Sequence, residues 1–367
     1  MHSHHFNVFV LGAVISLAFG ASLHLAEDLS TSYGQAINAG LQANLLAIAA
    51  ATDTRQKKIE IQEPISILFV GDIMLDRDVE AAVEQVGEGD WDFPFMLTAD
   101  TLRAADITVG NLEGPVSGRG EQVGSKYSFR FAPETAGAIG QAGFDVVSLA
   151  NNHIFDFGAE ALADTNVFLD SVGVRGVGAG RMEAEANAPA VLLVKGTRIA
   201  FLSYTSLYPE GLVARGGAPT SAPTSEVGVQ VGVPGVSDFN VEKIKQKIAE
   251  LKEKKVDIMV ALMHWGEEYQ KKANGWQRET AAQLVAAGAD LIVGTHAHVA
   301  QEVEEVKAEG EAAWVAYSLG NFVFDQKFSK ETMRGLALKV TVRDKKIEKV
   351  EKLPVVINEN FQPEISN

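Results

Sequence analysis

Four of the eight histidines fall within the first 24 residues, and each of the other four, His153, His264, His296 and His298, follows an apolar strand-like run. Polar side chains that follow several strands gather at one edge of a sheet, so this placement constrains the fold more than any other feature. The last of these stretches is Asp290-Leu-Ile-Val-Gly-Thr-His296-Ala-His298-Val-Ala-Gln301. Leu291 to Val293 reads as a buried strand, and Gly294 ends it. If Thr295 to His298 stay extended, alternate side chains share a face. His296 and His298 then point into one site, as two ligands of a metal ion or as one ligand and one acid/base.

Earlier strands end in the same way. Ile65 to Val70 is followed by Gly71-Asp72, and Arg77 to Val86 then reads as a helix. Ala105 to Val109 runs into Gly110-Asn111-Leu112-Glu113-Gly114, and Phe144 to Leu149 into Ala150-Asn151-Asn152-His153. Helical stretches near 133–142 and 159–172 complete a β-α-β pattern with a site at one edge. Pro189 to Val194 and Arg198 to Tyr204 form two more strands around Lys195-Gly196-Thr197. Tyr208 to Pro234, rich in Gly, Pro, Ser and Thr, reads as a long surface loop, either a lid or a partner contact. Val241 to Lys254 is an amphipathic helix, Val256 to Met263 a strand leading into His264-Trp265-Gly266-Glu267-Glu268-Tyr269, and Thr280 to Ala287 a helix. Ala312 to Leu319 and Gly335 to Val342 alternate as antiparallel strands do, with Asp344-Lys345-Lys346 as a turn between the last two strands.

The candidate site residues are Asp72, Glu113, Asn152, His153, His264, His296 and His298. Each has a bland account of its own: Asp72 as a helix cap, Glu113 as a turn or salt-bridge residue, the asparagines as turn residues, His264 as a packed core histidine. Their joint occurrence favours one site. The chain has no cysteine, and oxygen and imidazole ligands without thiolate suit divalent Mn, Mg, Fe or Zn. This many ligands fits two neighbouring ions that share a carboxylate. A formal charge of -16 argues against nucleic acid as a partner, because phosphate binding needs clustered Lys and Arg.

The N-terminus bears on location. Phe6 to Leu25 is an apolar run of about membrane-spanning length, interrupted only by Asn7, two serines and His24. It reads as an export signal or, preferentially, as an N-terminal membrane anchor with the remainder outside the cytoplasm; cleavage after Ala18-Phe19-Gly20 would instead release a secreted protein. Residues 26–60 read as a partly helical stalk, 61–357 as the folded domain and 358–367 as a tail.

The segments Gly71-Asp-Ile-Met-Leu-Asp76, Gly110-Asn-Leu-Glu-Gly114, Asn151-Asn-His-Ile-Phe-Asp-Phe-Gly158, His264-Trp-Gly-Glu-Glu-Tyr269, Gly294-Thr-His-Ala-His-Val-Ala-Gln301 and Tyr317-Ser-Leu-Gly-Asn-Phe-Val-Phe-Asp-Gln326 resemble the bacterial capsule-synthesis CapA family, associated with poly-γ-glutamate production. The resemblance implies an α/β calcineurin-like metallophosphoesterase fold: two mixed β-sheets packed face to face and flanked by helices in a four-layer sandwich, with a metal site at the strand ends. It implies Asp72 as the first metal carboxylate, Glu113 as the bridging carboxylate, Asn152 as a ligand, and His264, His296 and His298 as the later histidine ligands. His153 is then the residue that assists the leaving group. Two positions depart from the superfamily pattern. Met74 stands where a histidine usually follows the first Asp, and Asn111-x-Glu113 replaces the usual Asp; Asp76 is a candidate substitute for the missing ligand. Two functions follow. One is a metal-dependent hydrolase outside the membrane, cleaving a phosphoester or a γ-glutamyl amide with His153 as proton donor. The other is a non-catalytic subunit of a capsule-synthesis complex that holds polyglutamate through metal. A third reading is an exported binding protein whose histidines are structural.

Overall fold

The computed structural model describes residues 41–47, 63–123, 126–208, 212–215 and 232–366. The chain divides into two compact units, Met1–Gln62 and Glu63–Asn367. In the first, residues 41–47 are helical with every side chain exposed. The apolar run Phe6 to Leu25 and nearly all of the expected stalk lie outside the described residues, among which no helix is long and apolar enough to cross a membrane.

The second unit begins with β1 (Ile65–Ile73), α1 (Arg77–Gln85), α2 (Ala99–Arg103), β2 (Ile107–Leu112), α3 (Thr135–Ala142), β3 (Val146–Ser148), α4 (Gly158–Ser171) and β4 (Arg175–Val177). Then come β5 (Ala179–Gly180), α5 (Glu183–Ala186), β6 (Ala190–Val194), β7 (Thr197–Thr205), β8 (Gly235–Val236), α6 (Val241–Glu253), β9 (Ile258–His264), α7 (Gly275–Ala287) and β10 (Leu291–Thr295). It closes with β11 (Val303–Ala308), β12 (Glu311–Ala316), β13 (Asn321–Val323), β14 (Arg334–Arg343), β15 (Lys346–Ile357) and β16 (Pro363–Ile365). An eight-stranded sheet runs β16-β15-β14-β1-β2-β3-β4, with β13 also paired to β1; a six-stranded sheet runs β11-β12-β10-β9-β7-β6. Strands β1 to β4 are parallel to one another, as are β7, β9, β10 and β12, while β14, β15, β6 and β11 pair antiparallel at the flanks.

Three apolar cores show how the layers stack. Ile67, Phe69 and Val109 of the larger sheet meet Phe201, Val260 and Val293 of the smaller one. On its other face the larger sheet turns Leu68, Val70 and Val147 toward Val79, Ile139 and Leu162 of its helices. The smaller sheet turns Ala261 and Ile292 toward Ile244 and Ile248 of α6 and Leu284 of α7. Helices, sheet, sheet and helices thus form the expected four-layer sandwich. Central strands buried on both faces read as continuous apolar runs, which is why β1, β9 and β10 stand out in the sequence.

Several boundaries differ from expectation. Helix α7 starts at Gly275 rather than Thr280, because Asn274 and Gln277 form a capping box ahead of the apolar positions. Strands β12 and β14, the segments expected to alternate as antiparallel strands, lie in different sheets, each with its own antiparallel partner. The turn at Asp344-Lys345 is a two-residue hairpin with positive φ at both positions, joining β14 to β15. Beyond residue 357, β16 adds an outer strand to the larger sheet. Of the expected loop from Tyr208 to Pro234, most lies outside the described residues; within it, Arg215 bridges Val233.

Candidate metal centre

Parallel pairing brings the carboxyl ends of the central strands to one edge. Asp72 of β1 is level with Asn111 of β2, and Asn111 with Ser148 of β3, so Glu113, Asn152 and His153 follow just beyond the sheet. In the smaller sheet His264 of β9 is level with Thr295 of β10, and His296 and His298 follow. Two glycines permit the close approach of backbone that this edge requires. A Cβ at Gly71 would stand 1.8 Å from the Gly320 carbonyl oxygen, and one at Gly294 would stand 1.9 Å from that of Tyr317.

The His-x-His stretch does not stay extended beyond Thr295, so the condition for strand alternation is not met. His296 and His298 both have left-handed backbone, with φ of 89° and 55°. Both side chains nevertheless enter the site, through a curled loop rather than strand alternation, and their ring centroids lie 5.9 Å apart. The Tyr269 N–H donates to the Ala297 carbonyl at 2.8 Å and pins this loop from the side of β9.

Asp72, Asn111, Glu113, His264, His296 and His298 are all buried. The Asn111 amide nitrogen donates to Asp72 Oδ1 at 2.7 Å and lies 3.3 Å from both Glu113 Oε2 and His264 Nδ1. His264 Nε2 is 2.8 Å from Asn152 Oδ1, close to the roughly 3 Å spacing of adjacent ligands on one ion with bonds of about 2.1 Å. His298 Nδ1 is 3.0 Å from Asn321 Oδ1, a geometry in which the ring N–H donates to the amide and leaves Nε2 3.6 Å from Glu113 Oε1. His153 Nδ1 lies 2.7 Å from Asp156 Oδ2, which also accepts the Phe129 N–H. That contact orients the ring with Nε2 4.0 Å from Glu113 Oε1.

Burial dominates the electrostatics of the site. Burial, then the neighbouring Asp72 charge, raises the Glu113 carboxyl well above its ordinary value. Burial, then the His296 charge, holds His264 well below the ordinary imidazole value, and burial, then His298, pushes His296 down to about 3. Two buried atoms, Glu113 Oε1 and His296 Nδ1, have no hydrogen-bond partner, a costly arrangement that a bound cation would relieve. Ligand atoms of Asp72, Glu113 and His264 lie within 4.8 Å of one another, as do those of Glu268, His296 and His298. The residues present therefore fit divalent metal.

Asp72, Glu113, His264, His296 and His298 are thus brought together, Asn152 joins them through His264, and His153 stands at the edge on a cavity of about 740 Å³. Asp76 is not in the site. It caps α1, accepting the Arg77 N–H at 2.7 Å, and its other oxygen accepts the Arg130 N–H at 2.8 Å. Asn111, noted above only as part of the altered second motif, joins the site together with Asp156, Asn321 and Glu268, none of which is among the candidates drawn from the sequence. All four lie inside the motifs Gly110 to Gly114, Asn151 to Gly158, His264 to Tyr269 and Tyr317 to Gln326, so position in a motif is the available signal, although Glu268 sits in a polar run without periodicity.

The profile of the family described as bacterial capsule synthesis protein PGA_cap matches residues 66–326. The capsule biosynthesis protein CapA of Bacillus anthracis is 33% identical over 275 residues, covering 73% of this chain and 62% of that protein. The PGA biosynthesis protein CapA of Bacillus subtilis is 31% identical over 285 residues, covering 77% of this chain and 69% of that one. The chain therefore spans just under two thirds of the length of the Bacillus anthracis relative. Among solved structures, a phosphatase from Mycoplasma pneumoniae aligns at a TM-score of 0.47 and 13% identity, covering 81% of this chain and 95% of that one. A calcineurin-like phosphoesterase from Bacillus subtilis aligns at 0.41 and 14%, covering 82% and 92%. Structural likenesses this loose carry no functional conclusion. The match of the family profile across the strand-end motifs, with two relatives above 30% identity, makes this chain a member of the bacterial capsule synthesis protein family PGA_cap.

Proposed function

We propose that this protein serves poly-γ-glutamate capsule synthesis as a metal-dependent hydrolase that works outside the cytoplasm, tethered by its N-terminal apolar run. The observation that carries the reading is the pair of buried, unpartnered ligand atoms, Glu113 Oε1 and His296 Nδ1, among carboxylates and neutral imidazoles. Asp72, Glu113, Asn152, His264, His296 and His298 would hold two divalent ions of Mn, Fe, Zn or Mg. Such ions, when bound, generate a nucleophile from water near neutral pH and polarise the oxygen of a phosphoester or γ-glutamyl amide. His153 faces the cavity with its Nδ1 fixed by Asp156, which leaves Nε2 to carry the proton given to the leaving group. Phe129 packs against the His153 ring, with centroids 4.2 Å apart, and restrains its rotation.

A second reading is a non-catalytic subunit that holds polyglutamate carboxylates through the ions. It is favoured by Met74, which stands where the resembled pattern has a metal-binding histidine, and it makes the metal essential because the cavity lining is acidic: Arg77, the one arginine or lysine among its described lining residues, is paired with Asp325, and Asp78 and Glu268 stand nearby. An anionic polymer would then depend on the metal for attraction. The two readings separate in one experiment, in which the metal-loaded protein is given bis(p-nitrophenyl) phosphate and, separately, poly-γ-glutamate. Turnover of either that falls about 10²–10⁴-fold in His153→Ala supports the hydrolase. Metal-dependent binding of poly-γ-glutamate without turnover of either compound supports the second reading.

A further inference from the structure

We propose that Glu268 supplies the metal ligand that position 74 lacks, so that one ion is held by Glu268, His296 and His298, from the side of the smaller sheet. The assignment rests on the metal reading above and specifies how its centre is completed. In the superfamily pattern that this chain resembles, an imidazole two residues after the first Asp fills that place. Here the residue is Met74, fully buried in the core between the larger sheet and its helices, with its sulfur accepting the Asp76 N–H at 3.2 Å. Asp76, the nearest replacement in sequence, has both carboxylate oxygens engaged by backbone N–H groups of Arg77 and Arg130. Neither residue can serve.

Glu268 reaches the same centre from elsewhere in the chain. A carboxylate oxygen of Glu268 and one ring nitrogen each of His296 and His298 lie within 4.8 Å of one another. Independently of that cluster, His296 Nδ1 is buried and has no hydrogen-bond partner, so the imidazole already offers an unfilled lone pair or proton. The loop after β9 is shaped to present this glutamate. Gly266 takes φ of 92°, and a Cβ there would stand 2.6 Å from the Gln277 side chain. Three residues after Gly266, the Tyr269 N–H is tied to the Ala297 carbonyl, and its ring stacks on His298 with centroids 6.0 Å apart. The neighbouring Glu267 is turned away, accepting from Asn274 at the start of α7 at 3.3 Å, whereas Glu268 lines the cavity. An anionic oxygen in place of a neutral nitrogen favours harder ions such as Mn or Mg at that position.

The test is titration of the full-length, detergent-solubilised chain, stripped of metal, with Mn(II), followed by calorimetry and by electron paramagnetic resonance of the spin-coupled pair. Two ions are expected in the wild type. Glu268→Ala should lose one binding event and the coupling signal, and Glu267→Ala should keep both. Because Glu268 is exposed, its removal should leave the circular dichroism spectrum unchanged. Two ions bound with unaltered affinity in Glu268→Ala overturn this assignment and leave the metal reading standing. A single ion in the wild type that survives Glu268→Ala overturns it as well. A wild-type chain that takes up no Mn(II) overturns the metal reading and the assignment together.

Discussion

Asn111 is a neutral amide placed between two buried carboxylates and an imidazole, where its donors can quiet only part of the repulsion. The remainder falls on Glu113, and it sets a pH dependence with a definite sign. A carboxyl whose folded-state pKa lies above its unfolded value stabilises the fold below the unfolded pKa, and that contribution is lost as pH rises through the folded value. The lowered histidines act oppositely: His264 and His296 cost stability in acid, and that cost disappears above the unfolded imidazole value near 6.5. In chelated protein, Glu113→Gln should therefore gain in melting temperature relative to wild type as pH rises above about 4.5, the ordinary glutamate value. Saturating metal should reverse the order, since the carboxylate is a much stronger ligand than the neutral amide oxygen that replaces it. A parallel pH dependence in the two chelated proteins would remove Glu113 as the strained group. Most of these residues were legible in the sequence because each follows a long apolar run. Glu268 was not, since an exposed glutamate in a polar run carries no periodic signal, and the left-handed backbone at His296 and His298 is invisible to a reading based on alternation.

At the scale of elements, the site depends on two sheet edges meeting at a fixed distance, and the core between the sheets sets that distance. Phe201 of β7 is fully buried there, with its ring centroid 6.4 Å from that of Phe69 in β1. Phe201→Ala should cost about 3–5 kcal/mol of stability in urea unfolding and should also weaken metal retention, because the cavity lies between the layers that carry the ligands. Asn274→Ala removes the α7 cap and the exposed hydrogen bond to Glu267, and should cost about 1 kcal/mol with metal retention unchanged. Equal effects of the two substitutions on metal retention would disconnect the inter-sheet core from the site. The central strands could be read from sequence because burial on both faces makes them apolar throughout. Strand β11 and the extent of β15 could not, for their half-buried, charge-rich alternation resembles that of exposed segments.

At the scale of the whole molecule, the second unit, Glu63–Asn367, is expected to fold without the residues before it. A chain starting at residue 56 should be soluble and give the circular dichroism spectrum of a folded α/β protein, because its three cores are built from residues beyond 64. Aggregation in neutral buffer would show that the preceding segment contributes to the fold. The most direct test of the centre itself is the metal content, by plasma emission spectroscopy, of wild type, His153→Ala, Asn152→Ala and His296→Ala after loading and dialysis. His153→Ala is expected to retain the wild-type content, Asn152→Ala to lose part of it, since a neutral amide oxygen binds less strongly than imidazole, and His296→Ala to lose the most. Wild-type content in all three variants, or no metal in any of the four proteins, would contradict a metal centre at these strand ends.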